Sequence, residues 1–582
     1  MDATFGATHS QVRKRRAEPM SVVHDPDRPD LLPFGHQKKA IERYRGQDNI
    51  ALFFEMGCGK SFTTLQIAQV KFLDGEIQGL LVIAPNDVHK QWFDELVYGV
   101  DKDHDGTMWQ ELQVDFEAQC IGGRGGQKML FPFQDDKKFK FVSVNVDTFS
   151  QPHKWEDIVD WANSGSYMIA IDEATVIKNP SSLRSQRLLY AFNDVVKRGK
   201  LVISSVKKCP VRAVLTGTPV TNGPTDLWAI MEFVEPNYFG RNYYSFRTHF
   251  GMFTRLTVTT SYGSQREVDV LLNEKTWRGI HDCSSYREAC TLFGCTEDTY
   301  MTVKHQPRYM GPYKHADELR RLLDPAATFL KLTDCVDMPE TLYTVRHVGM
   351  SDVQRSAYES MRKDLLVQYS TYQASAKNKL IANLRLQQIA SGFVVGKKCL
   401  MEDWDFSGFE ELSEEELEQK DLNPSEVVWL GESNPRLDAL MRDVAECDKP
   451  LLILTRYSAE AAKIYELCCE AGYRTGLFTG WKVVGGVDDF KEGKLDILVA
   501  NSSKIARGFN LQVAHTTLFY SNTFSMEVRQ QAEFRTFRMG QKHSCMYVDY
   551  VSSDVDENIL NALKLKKSLL DYIRDKDLKE VI

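Results

Sequence analysis

Cysteine is sparse, with twelve in 582 residues and no C-x-x-C pair, which excludes a disulfide-stapled scaffold. One loose cluster exists, Cys283, Cys290 and Cys295 with His281 and His305 nearby. Zinc sites are built from tighter ligand pairs, so ordinary thiols are expected. Long apolar runs are also missing. The longest, such as Leu80–Pro85 and Leu451–Leu454, fall far short of the roughly 20 residues a membrane-spanning helix needs. The opening MDATFGATHSQVRKRR has no apolar stretch behind its basic run, unlike a secretory leader. A soluble protein without a membrane partner is expected.

An excess of charge of one sign is missing too. The net charge is −8, and most of it is local. Eleven Asp or Glu and one Lys fall between Glu402 and Glu426. Without that stretch the chain is nearly neutral, which neither demands nor forbids a polyanionic partner. Apolar residues make up 43% and charged residues 26%, ordinary for a globular protein. The length predicts about four domains, or two large ones with insertions.

Residues 1–30, with the basic run Arg13–Arg16, read as a flexible tail. From Leu31 to about residue 236, short apolar runs alternate with amphipathic helices, the signature of a parallel sheet covered on both faces. These runs are Asn49–Phe54, Leu80–Ala84, Phe141–Val146, Met168–Ile171 and Ala213–Leu215. Residues 237–340 lack sustained alternation and are expected to form a helical insertion. Residues 341–430 are expected to open a second α/β lobe with helical segments and the acidic loop. Strand–helix alternation resumes over 431–582, from Leu451 onward.

The strongest local signal is Glu55-Met-Gly-Cys-Gly-Lys60-Ser61, placed between a buried strand and a helix. Backbone N–H groups of such a loop, backed by the helix N-terminus, cradle phosphates. Lys60 would reach the outer phosphates and Ser61 would ligate Mg²⁺. The full pattern asks for glycine at position 54, where this chain has Phe54. Asp172-Glu173 closes a later strand. There Asp172 could hold Mg²⁺ and Glu173 could activate an attacking water. In the second half, Gln531-Ala-Glu-Phe-Arg535-Thr-Phe-Arg538-Met-Gly-Gln541 puts two arginines three residues apart. That spacing is one helical face, and such guanidinium groups can stabilise phosphoryl-transfer charge.

At these residues, and in this order, the chain resembles superfamily 2 helicases, and among them the Swi/Snf-type DNA-dependent ATPases. The likeness runs from about Leu31 to Val551. It is carried also by LPFGHQKKAI, VIAPNDVHKQWFDEL, Val142–Thr148, IDEATVIKNPSS, LTGTPVTNGPTDLW, VGMSDVQRSAYESM, LTRYSAEA, LFTG and ARGFNLQVA. The resemblance implies an α/β fold of two RecA-like parallel-sheet lobes with helical insertions, closing over ATP and Mg²⁺. It implies catalytic roles for Lys60, Asp172, Glu173, Arg535 and Arg538. Nucleotide contacts would come from Gln37, Gly57, Cys58, Gly59, Lys60, Ser61, Gly508 and Asn510, with Ser61 and Asp172 on the metal. Nucleic-acid contacts would come from Asn86, Gln91, Thr148, Gly480 and Ser502.

The chain departs from the family pattern at Thr175, where the family commonly has His, at Phe534 in place of Gly, and at Ile505-Ala506. The Thr175 change is expected to loosen the coupling of hydrolysis to the segment Leu215–Trp228. The implied activity is ATP-driven translocation on duplex DNA. The alternatives are a strand-separating DNA or RNA helicase, and a nucleotide-gated binding module with little turnover. No accessory module is evident beside the two lobes, so a minimal prokaryotic or viral enzyme is expected. It would be monomeric and cytoplasmic (host cytoplasm if viral), with protein partners reached through the insertions or the acidic stretch.

Overall fold

The computed structural model describes residues 33–97, 112–122, 130, 132–198, 201–207, 209–259, 265–272, 274–293, 297–305, 313–371, 376–395, 427–480, 482–505 and 509–574. The basic run, the acidic stretch, Cys295 and Gly508 lie outside them. Among the described residues no helix is long and apolar enough to cross a membrane.

The first lobe is built on seven strands: β1 (Asn49–Phe54), β2 (Gly79–Ala84), β3 (Phe116–Ile121), β4 (Phe139–Asn145), β5 (Tyr167–Asp172), β6 (Arg212–Leu215) and β7 (Ala327–Leu330). They form one sheet in the order β7-β1-β6-β5-β2-β4-β3, and every pairing is parallel. β1, β2, β4, β5 and β6 are buried almost throughout, as continuous apolar runs in a sheet covered on both faces must be. Two of the seven strands depart from the sequence reading. β3 (FEAQCI) is a half-exposed edge strand, and its polar residues hide it from an apolar-run search. β7 lies inside 237–340, expected as a helical insertion, yet it returns to pair with β1. The same stretch carries an antiparallel hairpin, Phe253–Thr259 with Gln265–Leu271, beside its helices.

The second lobe repeats the plan with β8 (Thr341–His347), β9 (Leu451–Thr455), β10 (Thr475–Phe478), β11 (Val483–Val484), β12 (Ile497–Asn501), β13 (Thr516–Phe519) and β14 (Cys545–Val551). The order is β8-β14-β13-β9-β12-β10-β11, parallel except for the short β11. In parallel sheets the loops at the carboxyl ends of the strands form the ligand crevice. One apolar cluster joins the lobes: it holds Leu52 and Leu215 of the first sheet, Leu452 and Phe519 of the second, and Leu332 and Phe537 from the connecting segments.

A second tie is the C-terminal helix Asp554–Arg574. Its Ile559 and Leu563 pack with Tyr358 and Val551 of the second lobe. One turn and more beyond, Leu570 is buried in the first lobe's core with Leu319 and Leu323.

Candidate nucleotide site

β1 ends at Phe54, and the chain must turn sharply to enter the helix Lys60–Leu73. Gly57 (φ +85°) and Gly59 (φ +75°) make that turn in the left-handed region, open to glycine without steric cost. At Gly59 the loop is also crowded. A Cβ on Gly59 would lie 2.2 Å from Gln37 Nε2. Gln37 is buried, and its Oε1 accepts the Phe34 N–H at 2.8 Å. A His36 ring nitrogen stands 3.2 Å from the Cys58 carbonyl. The helix Gly35–Arg45 is thereby docked on the loop. Beside this junction is a cavity of about 540 Å³ lined by Phe34, His36, Lys39, Leu330 and Cys335, among others. Cys58 is fully buried, with its Sγ 3.8 Å from that of Cys335. Burial pushes its thiol well above the ordinary range, so it is a packing residue rather than a nucleophile.

Lys60 is buried and donates to the Phe54 carbonyl at 3.1 Å. Ser61 follows it, half-buried, at the start of the helix. Asp172, at the tip of β5, accepts the indole N–H of Trp92 at 2.8 Å and the Glu173 N–H at 2.9 Å. Burial raises the Asp172 carboxyl, while Trp92 and Lys60 oppose the rise. Glu173 holds a left-handed conformation (φ +49°), uncommon for a residue with a side chain and costing on the order of 1–3 kcal/mol. Burial, with Asp172 and Glu527 nearby, pushes its carboxyl up to about 7 against the pull of Lys60 and Arg535.

The arginines arrive from the other lobe on the helix Met526–Thr536 and the turn after it. Arg535 is buried and donates to the Phe509 carbonyl at 3.1 Å. Burial and the neighbouring Arg538 lower its guanidinium to about 10, with Glu173 opposing, so it stays charged at neutral pH. The expected shared helical face for Arg535 and Arg538 is not what forms. The helix ends at Thr536, with Phe537 already out of helical conformation, and the Arg535 carbonyl accepts the Leu511 N–H at 2.9 Å. Arg538 instead opens a turn closed by the Gln541 N–H and by Gly540 at φ +95°. From there its Cγ lies 3.9 Å from the position of a Cβ on Gly57. The glycine loop, the acidic pair and both arginines thus meet across one cleft.

The other expected residues divide between the lobes. Asn86 follows β2 and accepts an N–H from Asn145 Nδ2 at 3.1 Å; Gln91 is exposed nearby and Thr148 is buried beyond β4. Gly480 is exposed after β10, close against the Lys504 side chain. Ser502 is buried and donates to the Thr455 carbonyl at 3.2 Å. Asn510 Oδ1 accepts the Gln512 N–H at 3.3 Å. Thr175 donates to Glu527 Oε1 in the other lobe at 3.0 Å. Trp92 and Glu527 are the site neighbours missed from sequence; Trp92 sits inside the VIAPNDVHKQWFDEL segment, and its partner Asp172 is 80 positions away, so nothing local marked it. Among the described residues no three His, Cys, Asp or Glu side chains group closely enough to hold a metal by themselves.

Two parallel-sheet lobes, a glycine loop on one and an arginine pair on the other, define a RecA-like, two-lobed nucleotide-site architecture. The family model described as SNF2-related domain matches residues 36–399, more than half the chain. The protein belongs to the SNF2-related family. Mouse chromodomain-helicase-DNA-binding protein 1-like is 21% identical over 543 residues, which cover 89% of this chain and 47% of that protein. The Saccharomyces cerevisiae ISWI chromatin-remodeling complex ATPase ISW1 is 22% identical over 533 residues, 88% of this chain and 38% of that protein. The chain thus spans less than half the length of these relatives. Among solved structures, the Sulfolobus solfataricus SWI2/SNF2 ATPase core in complex with dsDNA is 17% identical, with a TM-score of 0.34 over 93% of this chain and 92% of that one.

Proposed function

We propose that this protein hydrolyses ATP in the inter-lobe cleft and uses the cycle to move along duplex DNA or remodel DNA–protein complexes. The observation that carries the reading is the convergence of Lys60, Asp172 and Glu173 with Arg535 and Arg538 across the cleft. The residues suit a nucleotide with a hard divalent cation. The Gly57–Gly59 turn leads straight into the helix that starts at Lys60, the arrangement that offers backbone N–H groups to phosphate, and the nearby donors are a hydroxyl and carboxylates, oxygen ligands of the kind Mg²⁺ takes. Ser61 and Asp172 would hold the cation, which supplies neutralisation of phosphoryl charge.

The chain's own groups do the rest. Lys60 leaves the Phe54 carbonyl to pair with phosphate oxygens. Glu173, its carboxyl raised by burial and by the charges of Asp172 and Glu527, is placed to take a proton from water. Arg535 and Arg538 bring positive charge to the face opposite the loop, where it counts most in the transition state. Loss of the phosphate contact would free the second lobe to shift. The Asn86–Gln91–Thr148 and Gly480–Ser502 groups, at the carboxyl ends of adjacent strands in each lobe, would then change their separation along a nucleic-acid backbone. Contacts of this type are mainly to phosphates and carry little sequence information.

The test is ATP turnover without nucleic acid and with single-stranded DNA, duplex DNA and RNA, paired with displacement of a third strand from a triplex. Duplex DNA is expected to stimulate most, and Lys60→Ala to abolish turnover. Turnover indifferent to every nucleic acid, or unchanged in Lys60→Ala, overturns the proposal.

A further inference from the structure

We propose that Glu527 is a positioning residue that latches the lobes together through Thr175 and Lys178 and so holds the arginine pair in register with the glycine loop. The inference rests on the cleft being the hydrolytic site. Glu527 comes from the second lobe, in the first turn of the helix Met526–Thr536. Its two carboxylate oxygens engage two groups of the first lobe. Oε1 accepts the Thr175 hydroxyl at 3.0 Å, and Oε2 lies 3.8 Å from Lys178 Nζ. Both partners lie within six residues of the acidic pair. The Thr175 Oγ1 also stands 3.5 Å from the Glu173 carbonyl, so the latch closes directly on the strained turn that presents Glu173. Lys178 donates in addition to Thr221 Oγ1 at 2.9 Å, and Thr221 donates to Asp226 Oδ2 at 2.7 Å. One carboxylate of the second lobe is therefore tied to two separate loops of the first.

Placement on the helix explains the consequence. Glu527 and Arg535 are eight residues apart, roughly 12 Å along the axis. The helix is pinned at its start by Glu527, while its far end and the following turn deliver the arginines. A rigid helix carries any shift of its Glu527 end relative to the first lobe through to the arginine end. Misplacing a reacting group by about 1 Å can cost about 100-fold in rate. A hydroxyl suits this role: it is short, donates one hydrogen bond and stays neutral at every working pH. A negative side chain in a helix's first turn is also favourable for the helix itself. That purely structural role is the rival reading, and it predicts a different result.

The experiment measures kcat and KM for ATP with saturating duplex DNA in E527A, E527Q, T175V, T175S and the T175V/E527A double variant. Thermal melts of each confirm that it is folded. The latch predicts a kcat loss of about fivefold to tenfold in E527A and T175V with KM within about twofold, since neighbouring residues couple by about 1 kcal/mol. E527Q, which can still accept from Thr175, should lose less, and T175S should retain nearly full activity. The double variant should be no worse than the poorer single. Unchanged or raised kcat in E527A, or additive losses in the double variant, overturns the latch. If the parent does not hydrolyse ATP, the cleft reading fails and the latch with it. If the parent turns over, Lys60→Ala does not, and the Glu527 variants are silent, the latch alone fails.

Discussion

Arg538 Cγ lies 3.9 Å from the point a Cβ would occupy on Gly57. The two residues are nearly five hundred positions apart and belong to different lobes, so the contact exists only because the cleft is closed. It allows the roles of the two sides to be separated. Arg538→Ala should leave binding of a fluorescent ATP analogue within a few-fold of the parent while lowering kcat by about 10³ or more. Lys60→Ala should lose both. Arg538→Lys should recover little, because a point charge does not reproduce the planar guanidinium fork. Stopped turnover with intact nucleotide binding checks the first variant.

Gly59 faces two separate obstacles to substitution. Its φ is +75°, and a Cβ would lie 2.2 Å from Gln37 Nε2. Gly59→Ala should therefore raise the apparent KM for ATP about tenfold or more and lower the melting temperature. Adding Gln37→Ala should remove the collision and restore part of the melting temperature. The backbone strain, about 1–2 kcal/mol for a non-glycine residue in this region, should remain. Full recovery of nucleotide binding in the double variant would show that crowding alone, and not loop conformation, sets the requirement.

Trp92 holds one oxygen of Asp172 through its indole N–H at 2.8 Å and is almost completely buried. Trp92→Phe keeps most of the packing but removes the donor. Groups that orient a cation-binding carboxylate typically matter by 10–100-fold when removed. The Mg²⁺ concentration giving half-maximal turnover should accordingly rise by about tenfold or more, with the melting temperature changed far less. A titration of turnover against Mg²⁺ at fixed ATP decides it.

What could be read from the chain, and what could not, follows from how local each feature is. The β1–loop–helix unit and the acidic pair on β5 are contiguous: an apolar run, a glycine turn and a helix declare themselves within 25 residues. β7 could not be read this way. Ala327–Leu330 is four residues long and joins the first sheet only by pairing with β1 across most of the lobe's sequence. The arginine spacing was visible, but the helix ends at Thr536, where the Arg535 carbonyl accepts from Leu511, a contact made only in the folded lobe. The same is true of Thr175. Its departure from the family pattern was evident, whereas its partner Glu527, 352 positions away, had no local mark.

The C-terminal helix offers a way to ask how much of the closed cleft depends on ties outside it. Leu570 is 1% exposed and packs in the first lobe's core, while Ile559 and Leu563 of the same helix pack in the second. Midway, Lys566 Nζ donates to the Phe524 carbonyl at 2.9 Å and reaches Asn222 Oδ1 at 3.4 Å. Leu570→Ala removes buried methyl groups at the first-lobe end alone, a change that typically costs 2–5 kcal/mol in a packed core. If the helix is a brace, that loss falls on the lobe–lobe connection rather than on either sheet. Thermal unfolding should then change from one transition to two, with the second lobe's transition nearly unmoved. Leu563→Ala should instead lower the second lobe's own transition. A single cooperative melt, shifted equally by either substitution, would mean that the lobes are held mainly by the cleft and the Leu332–Phe537 cluster, and that the helix only decorates them.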